Sequence, residues 1–158
     1  MSQSPILLKK ASPKTYIRSV IYYAFLENMQ IAKSKSTILG HLDITRDRYI
    51  LLVTVHRAEN TDNQNNLGNI VSALLQLDYE VVWPLHPRTR QALEKNNLLG
   101  KLEGAEHIKV IDPVGYLDML VLEYHSAMIM TDSGGVQKEA FFLCKPCVTL
   151  REETEWVE

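Results

Sequence analysis

A chain of 158 residues with 46% hydrophobic content can bury about two-thirds of its unfolded surface, which suits one domain. Its net charge of −2 gives no field to attract nucleic acid or an anionic membrane, so neither is expected as a partner. No apolar run approaches the ~20 residues of a bilayer crossing, and the first ten residues lack a signal-peptide core, so the expected compartment is the cytoplasm.

After a polar arm, Ser12-Pro13 pairs an N-cap with a first helical residue, and the spacing beyond predicts an amphipathic helix to about Lys35. Gly40 and the charged stretch from Asp43 to Arg48 divide this N-terminal part, residues 1–48, from the main domain, residues 49–158. Tyr49 to Val55 is continuously apolar and rich in β-branched residues, as a strand buried on both faces requires. It stops at His56-Arg57-Ala58-Glu59-Asn60. Leu67, Ile70, Val71, Leu74 and Leu75 then recur at helical spacing, and a second strand, Glu80 to Leu85, stops at His86-Pro87-Arg88-Thr89-Arg90. A helix through Leu99 leads to a third strand, His107 to Ile111, and the loop Asp112-Pro113-Val114-Gly115-Tyr116. A helix to about His125, a fourth strand, Ala127 to Thr131, and a short fifth strand, Cys147 to Leu150, complete the series.

Strands alternating with helices through short loops imply parallel pairing and right-handed crossovers, hence an α/β domain with a Rossmann-like, mostly parallel sheet. Each strand ends in a polar cluster: His56/Arg57, His86/Arg88, Asp112/Pro113, Asp132/Ser133 and Arg151/Glu152. Ligands of open parallel sheets bind beyond the carboxyl ends of the strands, so the five clusters should converge on one crevice.

The most informative cluster is Asp132-Ser133-Gly134-Gly135-Val136-Gln137-Lys138-Glu139, a strand end, a glycine turn and a helix start. Glycines admit a close ligand, and the free N–H groups and positive end of the helix favour an anion such as phosphate. A phosphate would repel Glu139, just over one turn later, so its better partner is a donor such as a sugar hydroxyl. Phosphate plus ribose implies a nucleotide. An ordinary connection with glycines for tight packing remains the alternative at this point.

Cys144 and Cys147 form a C-x-x-C pair in the wrong setting for a reactive thiolate, since the first ends a helix and the second begins a strand. Neither a metal nor a nicotinamide cofactor is expected: no four-ligand cluster or G-x-G-x-x-G turn is present. Glu59 is read as an acid in the first turn of the next helix, Arg88 and Arg90 stay open between a phosphate clamp and a solvated helix start, and Trp83, inside a strand, is read as core. His41, His107 and His125 are read as surface or strand-end residues.

His56 to Asn60, Pro84 to Arg90, Asp132 to Ala140 and Arg151 to Glu155 occur in the order that resembles the non-hydrolysing UDP-N-acetylglucosamine 2-epimerases, from roughly Tyr16 to the last residue. The tail Thr154-Glu155-Trp156-Val157-Glu158 is similar to the subgroup acting on UDP-2,3-diacetamido-2,3-dideoxyglucuronic acid. The resemblance implies a glycosyltransferase-B-type fold of which this chain supplies most of the C-terminal half. It further implies that Ser133, Gly134 and Gly135 hold the diphosphate, Glu139 the ribose, and the Pro113 to Tyr116 loop the uracil, with Arg151 and Thr154 also at the UDP-sugar. His56 matches a histidine near the reacting sugar. Arg57 and His86 match positions that help hold a second, regulatory UDP-GlcNAc in some members.

Family chemistry inverts C2 by anti-elimination of UDP and re-addition to the other face. Its acid/base carboxylates belong to an N-terminal domain that the resemblance implies is absent here, so the chain is expected to bind a UDP-sugar but not to turn it over alone. A non-catalytic nucleotide-sugar-binding or regulatory protein is the second reading, and a homodimer or a separate N-terminal-domain chain is the open choice of partner.

Overall fold

The computed structural model describes residues 13–45 and 50–151, with side chains from residue 20 onward. Helices α1 (Pro13–Lys35) and α2 (Ile38–His41) precede strand β1 (Ile50–Thr54). There follow α3 (Ala58–Thr61), α4 (Gln64–Leu75), β2 (Glu80–Pro84), α5 (Pro87–Lys95), α6 (Leu99–Glu103) and β3 (Ile108–Ile111). The described chain closes with α7 (Tyr116–His125), β4 (Met128–Thr131), α8 (Gly134–Phe142) and β5 (Cys147–Thr149).

The strands form one sheet in the order β3-β2-β1-β4-β5, and every neighbouring pair is parallel. The chain builds outward from β1 to β3, then returns to place β4 on the other side of β1. That reversal opens a crevice between the carboxyl ends of β1 and β4, the usual ligand position in such sheets. The expected Rossmann-like α/β fold is therefore the observed one.

All five residues of β1 are buried, because the strand has a neighbour on each edge and helices on each face. Alternation divides its side chains. Ile50 and Leu52 join Phe25, Met29, Leu120 and Ile129 on the face covered by α1, α7 and α8. Leu51 and Val53 join Leu67, Leu74, Trp83 and Leu93 on the face covered by α4 to α6. Trp83 is wholly buried, as its mid-strand position predicts. Phe25, Met29 and Ala32, at helical spacing, bury one side of α1 in the first of these cores. The Tyr22 and Phe25 rings also meet Phe142 of α8 at 5.1 and 5.3 Å.

Two helix boundaries differ from expectation. The segment read as one helix through Leu99 breaks after Lys95, where Asn97 adopts a φ of 54° before α6 begins at Leu99. Asparagine tolerates this left-handed conformation better than most residues, and the break lets Leu93 and Leu102 reach the same core. Ala58–Thr61 likewise forms its own short turn rather than opening the next helix. Asn63 caps α4 instead, its Oδ1 accepting from the N–H groups of Asn65 at 3.0 Å and Asn66 at 3.2 Å. Tyr49, Glu152 and Thr154 lie outside the described residues.

Candidate functional site

Asp132, at the end of β4, has no exposed surface and organises the crevice. Its carboxyl accepts from the His56 N–H at 3.1 Å, the Arg57 N–H at 2.9 Å and Asn60 Nδ2 at 3.0 Å. His56 Nδ1 lies 3.4 Å from the same carboxyl, so Nε2 is the ring nitrogen turned away from Asp132. The second Nδ2 hydrogen of Asn60 goes to the Leu150 carbonyl at 2.9 Å, so one buried amide joins the ends of β1, β4 and β5. Below this hub the Thr54 and Thr131 hydroxyls meet at 2.6 Å across the β1–β4 pair. Such connectivity satisfies groups that would be costly to bury unpaired.

The glycine turn follows at once. Ser133 is the N-cap of α8, its Oγ accepting from the Val136 N–H at 3.5 Å, while its own N–H donates to Thr131 Oγ1 at 2.9 Å. The N–H groups of Gly134 and Gly135, the first two of the helix, have no acceptor among the described residues. Gly134 is buried, as a packing glycine would be. Gly135 is exposed with an ordinary φ, and an added Cβ would meet only Ser133 Oγ at 3.7 Å. Neither packing nor backbone strain requires glycine there. What its missing side chain keeps clear is the surface over a helix N-terminus.

Further along α8, Glu139 accepts a hydrogen bond from the Tyr116 hydroxyl at 2.8 Å, tying the helix to the end of the Pro113 to Tyr116 loop. Pro113 itself is exposed at that loop's start. Two shallow pockets flank Tyr116. One, of about 260 Å³, is lined by Phe25, Gly135, Lys138, Glu139 and Phe142 among others; the second, of about 290 Å³, by Lys35, Ser36, Gly115, Leu117 and Asp118. Burial and the Glu139 hydrogen bond both raise the Tyr116 hydroxyl above its ordinary value. Burial also raises Glu139, against the lowering effect of Tyr116. Glu123, on α7, is pushed up to about 9 by burial and then by the proximity of Glu139.

The remaining predicted residues take several positions. His86 lies beside His56, ring centroids 5.7 Å apart, and its Nδ1 caps α5 by accepting from the Arg88 N–H at 3.2 Å. Arg88 and Arg90 pair with Asp62 at 2.6 Å and Asp112 at 2.9 Å, ion pairs across loop ends rather than two guanidinium groups converging as a clamp. Arg151 Nε stands 3.8 Å from Glu59, and Glu59 does fall in the first turn of α3. Cys144 and Cys147 are exposed free thiols, and burial with the nearby Glu123 raises Cys147, the opposite of an activated thiolate.

Sequence reading missed Glu123, and saw Asn60 and Asp132 only as parts of polar clusters. An acid between a buried strand and a glycine turn, opposite another strand-end loop in a parallel sheet, is a signal for Asp132. For Glu123 the signal is an isolated acid in the apolar run Met119-Leu120-Val121-Leu122, read earlier only as helix.

The family profile described as UDP-N-acetylglucosamine 2-epimerase matches residues 15–158. A UDP-N-acetylglucosamine 2-epimerase homolog of Methanococcus maripaludis is 49% identical over 143 residues, which are 90% of this chain and 40% of that protein. A UDP-2,3-diacetamido-2,3-dideoxy-D-glucuronate 2-epimerase of Pseudomonas aeruginosa is 56% identical over 111 residues, 68% of this chain and 30% of that protein. The crystal structure of the Methanocaldococcus jannaschii UDP-GlcNAc 2-epimerase, in complex with UDP-GlcNAc and UDP, superimposes with a TM-score of 0.78 at 43% identity, covering 85% of this chain and 38% of that one. The chain thus spans about two-fifths or less of the length of these relatives. With the parallel sheet, the switch-point crevice and the glycine turn already described, the matches assign it: the chain belongs to the UDP-N-acetylglucosamine 2-epimerase family.

Proposed function

We propose that this chain forms the UDP-gripping side of a 2-epimerase site and binds UDP-N-acetylglucosamine or a closely related UDP-sugar. The carrying observation is the run from Thr131 to Glu139: two unpartnered helix N–H groups under the open surface of Gly135, with a carboxyl one turn further on. The N–H groups suit a diphosphate, which the helix end also favours electrostatically. Glu139 already accepts from one hydroxyl, and its carboxyl has the acceptor capacity for those of a ribose. The complexes of the Methanocaldococcus relative with UDP-GlcNAc and UDP support the same ligand class.

In the reaction proposed, a base removes the C2 proton, the C–H electrons form the C1–C2 double bond, and the C1–O bond breaks with its electrons passing to the departing diphosphate. Return of a proton to the opposite face of C2, as UDP rejoins C1, inverts C2. This chain's part is the leaving-group end. Helix N–H groups placed where charge develops lower that barrier, and His56, with Nδ1 toward Asp132, has Nε2 available for the diphosphate or sugar. The crevice carboxyls are already engaged: Asp132 with N–H donors, Glu59 with Arg151, Glu139 with Tyr116, Asp112 with Arg90. Among the described residues none is left as an unencumbered base, so the chain alone should bind without turnover, a second domain on this or another polypeptide completing the site. The 56% identity to the Pseudomonas relative favours a diacetamido-glucuronic acid as the sugar.

Calorimetric titration with UDP, UDP-GlcNAc and ADP tests the reading. UDP should bind and ADP should not; equal affinity for both would refute it. Incubation with UDP-GlcNAc in heavy water, followed by NMR, should show no deuterium at C2 above a blank. Incorporation would mean that a base within this chain is competent, with His56 and Glu59 the first suspects.

A further inference from the structure

Glu123, which follows Leu120, Val121 and Leu122 on α7, is wholly buried, and neither carboxyl oxygen meets an N–H or O–H donor among the described residues. A buried carboxylate without a partner is prohibitively costly, so the side chain must hold its proton. Tyr116 and Glu123 stand seven residues apart on α7, two helical turns, and therefore share a side of that helix. Both act on one residue of α8. Tyr116 donates to Glu139 from the exposed end, and Glu123 approaches from the buried end closely enough for the two carboxyls to share a hydrogen bond once one of them is protonated.

We propose that Glu123 is a positioning residue for Glu139: as the neutral member of a two-carboxyl pair, it leaves the negative charge on Glu139 and keeps that carboxylate aimed, beside Tyr116, at the ribose hydroxyls. The inference rests on the UDP reading above. Division of one proton between neighbouring acids follows burial, since the deeper group loses more by ionising. Glu123 is completely enclosed and Glu139 only half-buried. Their titration agrees: burial pushes Glu123 up to about 9, whereas in Glu139 the raising effect of burial is opposed by the hydrogen bonds from Tyr116 and Glu123. Among the described residues the titratable groups that face the pair are Tyr116 from α7 and Cys147 from β5, both raised and so neutral at neutral pH, while Lys138 of α8 lines the same pocket as Glu139. Once Glu123 ionises, two carboxylates face each other across a dry seam. The α7–α8 contact must then open to hydrate them, moving Glu139 away from the ribose.

UDP affinity should therefore be flat from pH 6 to 8 and fall as pH passes about 9, roughly tenfold one unit above, where about a tenth of the protein keeps the proton. In Glu123→Gln, which cannot ionise, that fall should vanish, while affinity near neutrality stays within about twofold of the parent. Any titration of the ligand is common to both proteins and cancels in the comparison. Glu123→Met, also neutral and of similar length, reads the same difference should the amide fail to fold. Titrations with UDP and 2′-deoxy-UDP at each pH, alongside Glu139→Gln, separate the two layers of inference. Equal affinity for the two nucleotides, unaltered by Glu139→Gln, would sink the ribose reading itself. A clear ribose preference with parallel pH profiles in parent and Glu123 variant would overturn the positioning role alone.

Discussion

Asp132 and Glu123 are both wholly enclosed acids, yet their surroundings are opposite. The first sits where three loops meet and receives N–H groups from His56, Arg57 and Asn60; the second sits between α7 and α8 beside another carboxyl and receives no N–H group among the described residues. The switch point is held by saturated hydrogen bonding, whereas the α7–α8 seam is governed by desolvation and by one neighbouring charge. Burial alone thus says little about what an acid does. The number of donors around it decides whether it acts as a scaffold or as a reservoir for a proton.

Removing the scaffold should have the largest effect. Asp132→Ala leaves the N–H groups of His56 and Arg57 and the Asn60 amide short of an acceptor, and is expected to cost about 3–5 kcal/mol of stability and to abolish UDP binding. Urea denaturation with a parallel titration checks both, and a loss under 1 kcal/mol would contradict the hub.

Glu123→Gln should move stability the other way. The unfolded acid loses its proton near 4.5 and the folded one near 9, so the folded protein binds one more proton across that window and its stability falls as pH rises. Glutamine removes this dependence. The variant's advantage should widen by at most ~1.4 kcal/mol per pH unit, reaching on the order of 2–3 kcal/mol by pH 8 once local hydration relieves part of the strain. Melting curves from pH 5 to 9 read it directly; a constant offset would mean that the proton is not the cause.

Smaller changes separate ligand from fold. Glu139→Ala is expected to cost about 1.5–3 kcal/mol in UDP binding, as for hydrogen bonds to a charged acceptor, with little loss of stability. Gly135→Ala should leave the fold within about 1 kcal/mol, because the Cβ has room, while weakening diphosphate binding by a similar amount. Unchanged affinity in Gly135→Ala would put the anion elsewhere. Cys147→Ser, on the exposed edge strand, should change neither property by more than about 0.5 kcal/mol.

The sheet was legible because the central strand β1 is written as an uninterrupted apolar run and the others as short, mostly apolar stretches between turn residues, and each of the five begins and ends within about a residue of its run. The long first helix was legible from Pro13 and its periodicity, and the convergence of strand-end clusters from strand direction alone. Left-handed Asn97 was not, since nothing but the asparagine-rich spacing marks a break inside a continuing helical pattern. The hub was only half legible: sequence shows that Asp132 follows a strand, but the acceptors and donors it joins come from residues 72 to 76 positions away. Glu123 was hidden for the same reason, as its meaning depends on a packing partner in the next helix.

The bond from Asn60 to the Leu150 carbonyl has a consequence for how the molecule breathes. Strand β5 is three exposed residues at the edge of the sheet, a piece that by itself would fray readily. The carbonyl of Leu150, the residue that follows it, is nevertheless held by the same amide that holds Asp132. Amide protons of the edge strand and those of His56 and Arg57 should therefore exchange with solvent in one shared opening event, at similar protection, and a ligand that quiets one end should slow exchange at the other.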